Sequence, residues 1–205
     1  TVYSIKALAL IGMGEHDSAI EFLERAIKCN PKSITHWINL GHANLLRIHL
    51  FEARECFKKC LELSQSRRIK RLVEECLEEI NELVEEEISD REDMDVETFL
   101  RLEPIYYEGI DLLQNGEYEL AIEKFSHIVS IDKESKKAHG NLGLAYLLSR
   151  DFERAEQHLK RALELDERYL PAIVNLTALN RIKNVVEGES RLSRSFQGQV
   201  IVDYF

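Results

Sequence analysis

Cys56 and Cys60 stand four residues apart, a spacing that puts two thiols on one helix face. With His49 or Cys76 they are the nearest this chain comes to a set of metal ligands. The same residues read more simply as packing. A free cysteine behaves as a small hydrophobe, and none of Cys29, Cys56, Cys60 and Cys76 belongs to a CxxC pair. His42 and His49, seven apart, are likewise more often surface or groove residues than ligands. Carboxylates crowd the stretch from Glu74 to Glu97, but nothing around them suggests an apolar pocket holding a paired acid. There is no GxGxxG, no GxxxxGK followed by Ser or Thr, no HExxH and no GxSxG. The chain is therefore expected to be non-catalytic, with no metal and no cofactor.

The bulk composition narrows the class further. The 205 residues are 44% apolar and 31% charged, enough apolar material for a core. Only three prolines and nine glycines interrupt the chain, so helices are permitted almost throughout. No stretch reaches the roughly 18 uncharged apolar residues of a membrane helix, and no leader pattern opens the chain. The net charge is −10, and a main partner of nucleic acid would require a basic stripe. Thirteen carboxylates and one arginine between Glu74 and Glu97 account for −12, which leaves the remainder near +2 (−10 less −12). The acidity thus belongs to one segment. Four cysteines without a disulfide framework fit reduced thiols and a cytoplasmic location.

Residues that act must be positioned, and the positioning elements show as an internal repeat. Segments 14–31, 49–64, 116–132 and 150–166 superimpose with Ala19, Ala53, Ala121 and Ala155 aligned, at spacings of 34, 68 and 34 residues. Asn-Leu-Gly recurs at 39–41 and 141–143, 102 residues apart, and Asn-Leu-Thr follows at 175–177, one further period along. Within each copy the apolar residues recur at three- and four-residue steps, as amphipathic helices require. Gly41, Gly109, Gly143 and Ala7 are small where two helices of a hairpin must cross closely. Each aligned alanine has a bulkier Leu23, Phe57, Phe125 or Leu159 four residues on to fill the gap. Such a hairpin completes its core only by stacking on its neighbours.

Trp37, Leu40 and Gly41 as Trp-x-x-Leu-Gly, then Ala53 and Phe57, and the closing Pro31, resemble the tetratricopeptide repeat (TPR) family over about 1–64 and 104–182. The fold class this implies is all-α, a TPR helical-hairpin solenoid (an α-α superhelix) in two short arrays joined by a long helix and an acidic linker. The expected domains are an N-terminal module over 1–88, an acidic linker over 89–103, a C-terminal module over 104–187 and a tail over 188–205. The first module has hairpins at 2–30 and 34–64 and a capping helix over 66–88, with Ser66 as its cap. Glu87 stands where the packing alanine of a third copy belongs, so either a repeat has decayed or the length coincides. Pro104 is expected to open the second module's first helix. Hairpins over 104–131 and 135–166 follow, with a last helix to about 186.

In TPR proteins the residue two before the packing glycine faces the inner groove, which places Asn39, Tyr107, Asn141 and Asn175 there. An amide offers both a donor and an acceptor, so a row of them suits an extended peptide backbone, like the asparagine ladder of peptide-binding TPR superhelices. Ile5 and Tyr107 depart from that ladder. His42, Ile110, Leu144 and Ala178, with Tyr106 and Leu148, should line the same groove and make its second part apolar. Lys137 is an isolated candidate for a carboxylate clamp, which in its usual form needs several basic groove residues and is not met. The function expected from this resemblance is a protein–protein interaction adaptor that holds a partner's peptide or helix in the concave groove. The alternatives are a scaffold that self-associates through the stripe of helix 66–88, or the substrate-recruiting part of a larger enzyme. Another candidate occupant of the groove is the chain's own apolar Val200–Phe205.

Overall fold

The computed structural model describes residues 2–187, and every structural statement below concerns them. They form ten α-helices and no strand: α1 (Val2–Gly12), α2 (His16–Cys29), α3 (Ile34–Leu46), α4 (Leu50–Leu63), α5 (Arg67–Glu87), α6 (Val96–Gln114), α7 (Tyr118–Ile131), α8 (Lys136–Leu148), α9 (Phe152–Leu165) and α10 (Leu170–Glu187). Two compact units divide between Glu103 and Pro104, inside α6.

Four antiparallel hairpins are built the same way, and the 34-residue period is visible in their turns. After the first helix of each, one backbone N–H reaches back five residues to a carbonyl of the last turn: Glu15 to Leu10, His49 to Asn44, Glu117 to Leu112 and Asp151 to Tyr146, all at 2.9 Å. This 6→1 closure satisfies carbonyls that a helix end would otherwise leave without a partner, and it needs a left-handed residue just before the donor. Gly14 and Gly116 supply one at φ 79°, whereas Ile48 (φ 60°) and Arg150 (φ 67°) do so with a side chain attached.

In unit 1, α1 and α2 pair around Ala7, Ala19 and Leu23, and α3 and α4 around Phe57; α2 also packs on α3, which stacks one hairpin on the next. Gly41 lets the second pair cross: a methyl group there would lie 2.6 Å from the Phe57 ring. Trp37 packs against the cores on both sides of α3 and donates its indole N–H to the Pro31 carbonyl at 2.8 Å. Helix α5 then lays Val73, Cys76, Ile80 and Val84 on the Leu50, Ala53, Phe57 and Cys60 face of α4. Ser66 makes no side-chain capping bond at its start. These α5 residues are at most 7% exposed, so that part of the expected stripe is covered within the chain, whereas Leu72 and Leu83 stay 46% and 44% exposed.

The chain after α5 differs from the sequence expectation. Helix α6 opens at Val96, not at Pro104, because Asp95 caps it: its carboxylate accepts the Thr98 amide at 2.7 Å. The first half of the helix is held to unit 1 by a fully buried Leu100 and by an ion pair between Glu97 and Arg54. Glu103 caps a different helix. Its carboxylate accepts the amides of Leu50 at 3.0 Å and Phe51 at 2.5 Å, at the α4 N-terminus, where the side chain of His49 makes no capping bond. Residues 96–103, read from sequence as linker, are thus part of a packed helix. Pro104 lies in its interior, where it has no N–H to give the Leu100 carbonyl.

Unit 2 repeats the hairpin chemistry. A methyl group on Gly109 would lie 2.7 Å from Phe125, and one on Gly143 would lie 2.7 Å from Leu159, the counterparts of the Gly41–Phe57 crossing. Side-chain caps open α8 (Ser135 to the Ala138 amide, 3.2 Å) and α9 (Asp151 to the Arg154 amide, 3.1 Å). Helix α10 packs on α9 and α8. The tail over 188–205, including the candidate occupant Val200–Phe205, lies outside the described residues.

Candidate interaction surface

The residues singled out from sequence divide between the two units, and the structure treats the two sets differently. In unit 1, His42 is exposed on α3, with its ring edge-on to Phe57 at 5.3 Å, and Asn39 beside it is half-buried. In unit 2, Ile110, Asn141, Leu144, Asn175 and Ala178 are all buried, Asn141 to 1% and Asn175 to 0%. The Asn141 amide donates to the Tyr106 hydroxyl at 3.0 Å, and Tyr106 packs edge-on against both Tyr107 and Phe125. These positions were expected to line an open groove, and here they are interior. Close approach is seen separately at Gly109, Gly140 and Gly143, where neighbouring side chains come within 2.7 Å of where a Cβ would stand. Tyr106, Tyr107, Lys137 and Leu148 keep partial exposure.

What the structure adds is an apolar surface on unit 1. On α1, Val2, Ile5 and Leu8 are 81%, 72% and 52% exposed; on α3 and just after it, Leu46 and Ile48 are 56% and 52% exposed. One repeat separates Ile5 from Asn39 and Leu8 from His42, and α1 touches α3 directly, so these residues form adjacent rows. Isolated exposed apolar side chains are ordinary, whereas here several lie on successive turns of neighbouring helices. The sequence held the clue in its register, since Ile5 and Leu8 fall one period before residues already expected in the groove.

The chemistry of the remaining candidates is that of packing. Burial and the neighbouring Cys60 and Glu52 push the Cys56 thiol up to about 12, and burial followed by Cys76 pushes Cys60 up to about 11. The Cys76 thiol is also raised, first by burial and then by Glu79 and Glu75. These thiols stay protonated at neutral pH, and the thiolate is the form that attacks. Among the described residues no three His, Cys, Asp or Glu side chains converge as a metal set, and no helix is long and apolar enough to cross a membrane. A shallow recess of about 210 Å³ beside the start of α2 is lined by Glu15, His16 and Asp17, with Asp17 paired to Arg47 at 2.8 Å.

No curated protein sequence matches the chain significantly. Among solved structures it is similar to MamA (residues 41 to the end) from Desulfovibrio magneticus RS-1, at 17% identity over 89% of this chain and 84% of that one, with a TM-score of 0.48. It is also similar to YrrB, described as a TPR protein with an unusual peptide-binding site (20% identity, 83% of this chain and 88% of that one, TM-score 0.40). A third is the TPR2AB-domain:pHSP90 complex of yeast Sti1 (16% identity, 89% and 70%, TM-score 0.40). The tetratricopeptide repeat family matches at residues 1–33 and again at 137–169, one copy in each unit. With a family match in each unit and the same hairpin closure recurring at the 34-residue period, the chain carries tetratricopeptide repeats in both units.

Proposed function

We propose that this chain is a non-catalytic adaptor that captures an apolar segment of a partner protein on the face shared by α1 and α3. The observation that carries this reading is the pair of exposed rows: Ile5 and Leu8 on one helix, with His42, Leu46 and Ile48 on and after the other. Asn39, between them, has an amide suited to a partner's backbone. An amphipathic helix or an extended peptide with alternating apolar side chains would bury these rows while leaving its polar side in water. Unit 2 is read as support, since its equivalent positions are already filled.

The test is affinity capture with identification of the bound protein, comparing wild type with the Leu8→Glu/Leu46→Glu variant. Capture should fall at least about 10-fold, the size expected from placing carboxylates in an apolar contact, with helical circular dichroism unchanged. Equal capture by the two proteins defeats the proposal. Asn39→Ala should weaken capture more mildly. Alanine at the buried Asn141 and Asn175 should instead lower stability.

A second reading has its own observation. Val2 and Ala9 are exposed, while the residues one, four and five periods later are buried: His36, Ala138 and Ala172 for Val2, and Ala43, Ala145 and Leu179 for Ala9. In those later copies the second helix of the preceding hairpin packs on the helix that carries them. A second copy of this chain docking on α1 would cover the same face. Sedimentation of the capture samples across concentrations distinguishes the two: self-association lost in Val2→Lys favours the copy.

A further inference from the structure

Two imidazoles meet between the helices of the fourth hairpin. His139 Nδ1 on α8 lies 3.1 Å from His158 Nδ1 on α9, with the rings stacked at 26° and 5.3 Å between centroids. Tyr146, about two turns further along α8, stacks on His158 at 5.6 Å and 11°, and the Arg154 guanidinium lies 5.4 Å from the Tyr146 ring. His139 is 8% exposed. Its Nε2 is 3.3 Å from the Lys133 carbonyl, which only accepts, so Nε2 carries the hydrogen. A neutral His139 then offers Nδ1 as acceptor, and His158 Nδ1–H donates to it. This arrangement has room for one hydrogen between the two Nδ1 atoms. With both rings protonated, two N–H groups and two positive charges would face each other at 3.1 Å.

The repeat shows that the fold does not require ionisable groups here. Tyr3 and Phe22 hold the same two positions in the first hairpin, with rings stacked at 6.3 Å, and Trp37 and Cys56 hold them in the second. Only in the fourth hairpin do both positions carry groups that titrate near neutrality.

We propose that the His139–His158 pair is a proton-operated latch, closing α8 on α9 while both rings are neutral and releasing them when both become charged. The electrostatic surroundings support release rather than charge storage. Burial, then the neighbouring His158, pushes His139 down to about 4, with the Lys133 carbonyl opposing, Arg161 lowering it further and Glu164 opposing. His158 is lowered by burial and then by Arg154. Among the described residues these charged groups come from α9; the start of α10 brings the phenol of Tyr169 beside Gly140. Both folded-state values lie below the ordinary imidazole value of 6.5, so the closed form is fully favoured above pH 6.5. It loses ground as pH falls from there toward about 4. At pH 5 the shift of His139 alone enlarges the open population by about 30-fold relative to pH 8.

Hydrogen exchange of the full chain, read by mass spectrometry at pH 8 and pH 5 and corrected for intrinsic rates, tests the latch. Protection in α8 and α9 should fall about 30-fold or more, against a much smaller change in α3 and α4. His139→Tyr/His158→Phe, which installs the first hairpin's pair, should abolish the difference. NMR titration of the wild-type imidazole signals provides a readout that needs no variant. Two rings titrating near 6.5, or an α8–α9 loss no greater than that of α3–α4, would overturn the proposal.

Discussion

Ile48 is the most strained residue of the hairpin turns. Its φ of 60° is the left-handed region, where Gly14 and Gly116 stand at the matching positions of the first and third hairpins. For an L-residue that conformation costs about 1–2 kcal/mol, and a β-branched side chain is among the worst suited to it. The side chain is 52% exposed, so little burial offsets the strain. Ile48→Gly is expected to stabilise the protein by about 1 kcal/mol net of glycine's larger unfolded-state entropy. That corresponds to a rise of about 2–4 °C in Tm. On the proposed capture face Ile48 stands close to Leu46 in sequence, and strain of this kind often sits at functional sites. Thermal unfolding and capture assays on Ile48→Gly should therefore move in opposite directions.

At the scale of elements, α6 is where sequence reasoning and structure part most clearly. Pro104 looked like a helix start because proline is favoured in the first turn. Asp95, followed by the Val96, Phe99, Leu100 pattern, makes an earlier start, and the buried Leu100 packing on the α4–α5 core is strong enough to carry the helix through an interior proline. Glu103 then closes the N-terminus of α4 from 53 residues away. A carboxylate at a helix N-terminus satisfies amides that lack intrahelical partners and complements the helix dipole. Glu103→Ala is expected to destabilise the protein by about 1–2 kcal/mol. Exchange at the Leu50 and Phe51 amides should accelerate more than elsewhere in α4. Uniform acceleration along α4 would argue against a capping role. Helix α5 makes a related point: its stripe was legible, but whether another copy or the chain's own α4 would cover it was not.

For the whole molecule, stability is distributed between neighbours, because each hairpin buries its faces on the next. Helix α1 is packed by α2 and touches α3, while α3 is held between α2 and α4. Its amides should exchange sooner than those of α3, and equal protection would mean that its open face is covered in solution. The hairpin architecture was readable from residue types alone. Ala19, Ala53, Ala121 and Ala155 recur in register because two helices approach closely only past small side chains, and Gly41, Gly109 and Gly143 recur opposite them for the same reason. Those are local, periodic requirements, and a linear sequence displays periodicity directly. Accessibility is not local. Asn39 and Asn141 occupy the same repeat position, yet one is half-buried and the other 1% exposed, because exposure depends on what the tertiary fold places opposite each residue. The facing of His139 and His158, the reach of Glu103 to α4 and the open rows on α1 and α3 likewise arise only once separate helices pack. The sequence by itself determined the repeat and its hairpins; tertiary packing alone decided which of their surfaces remain free to bind.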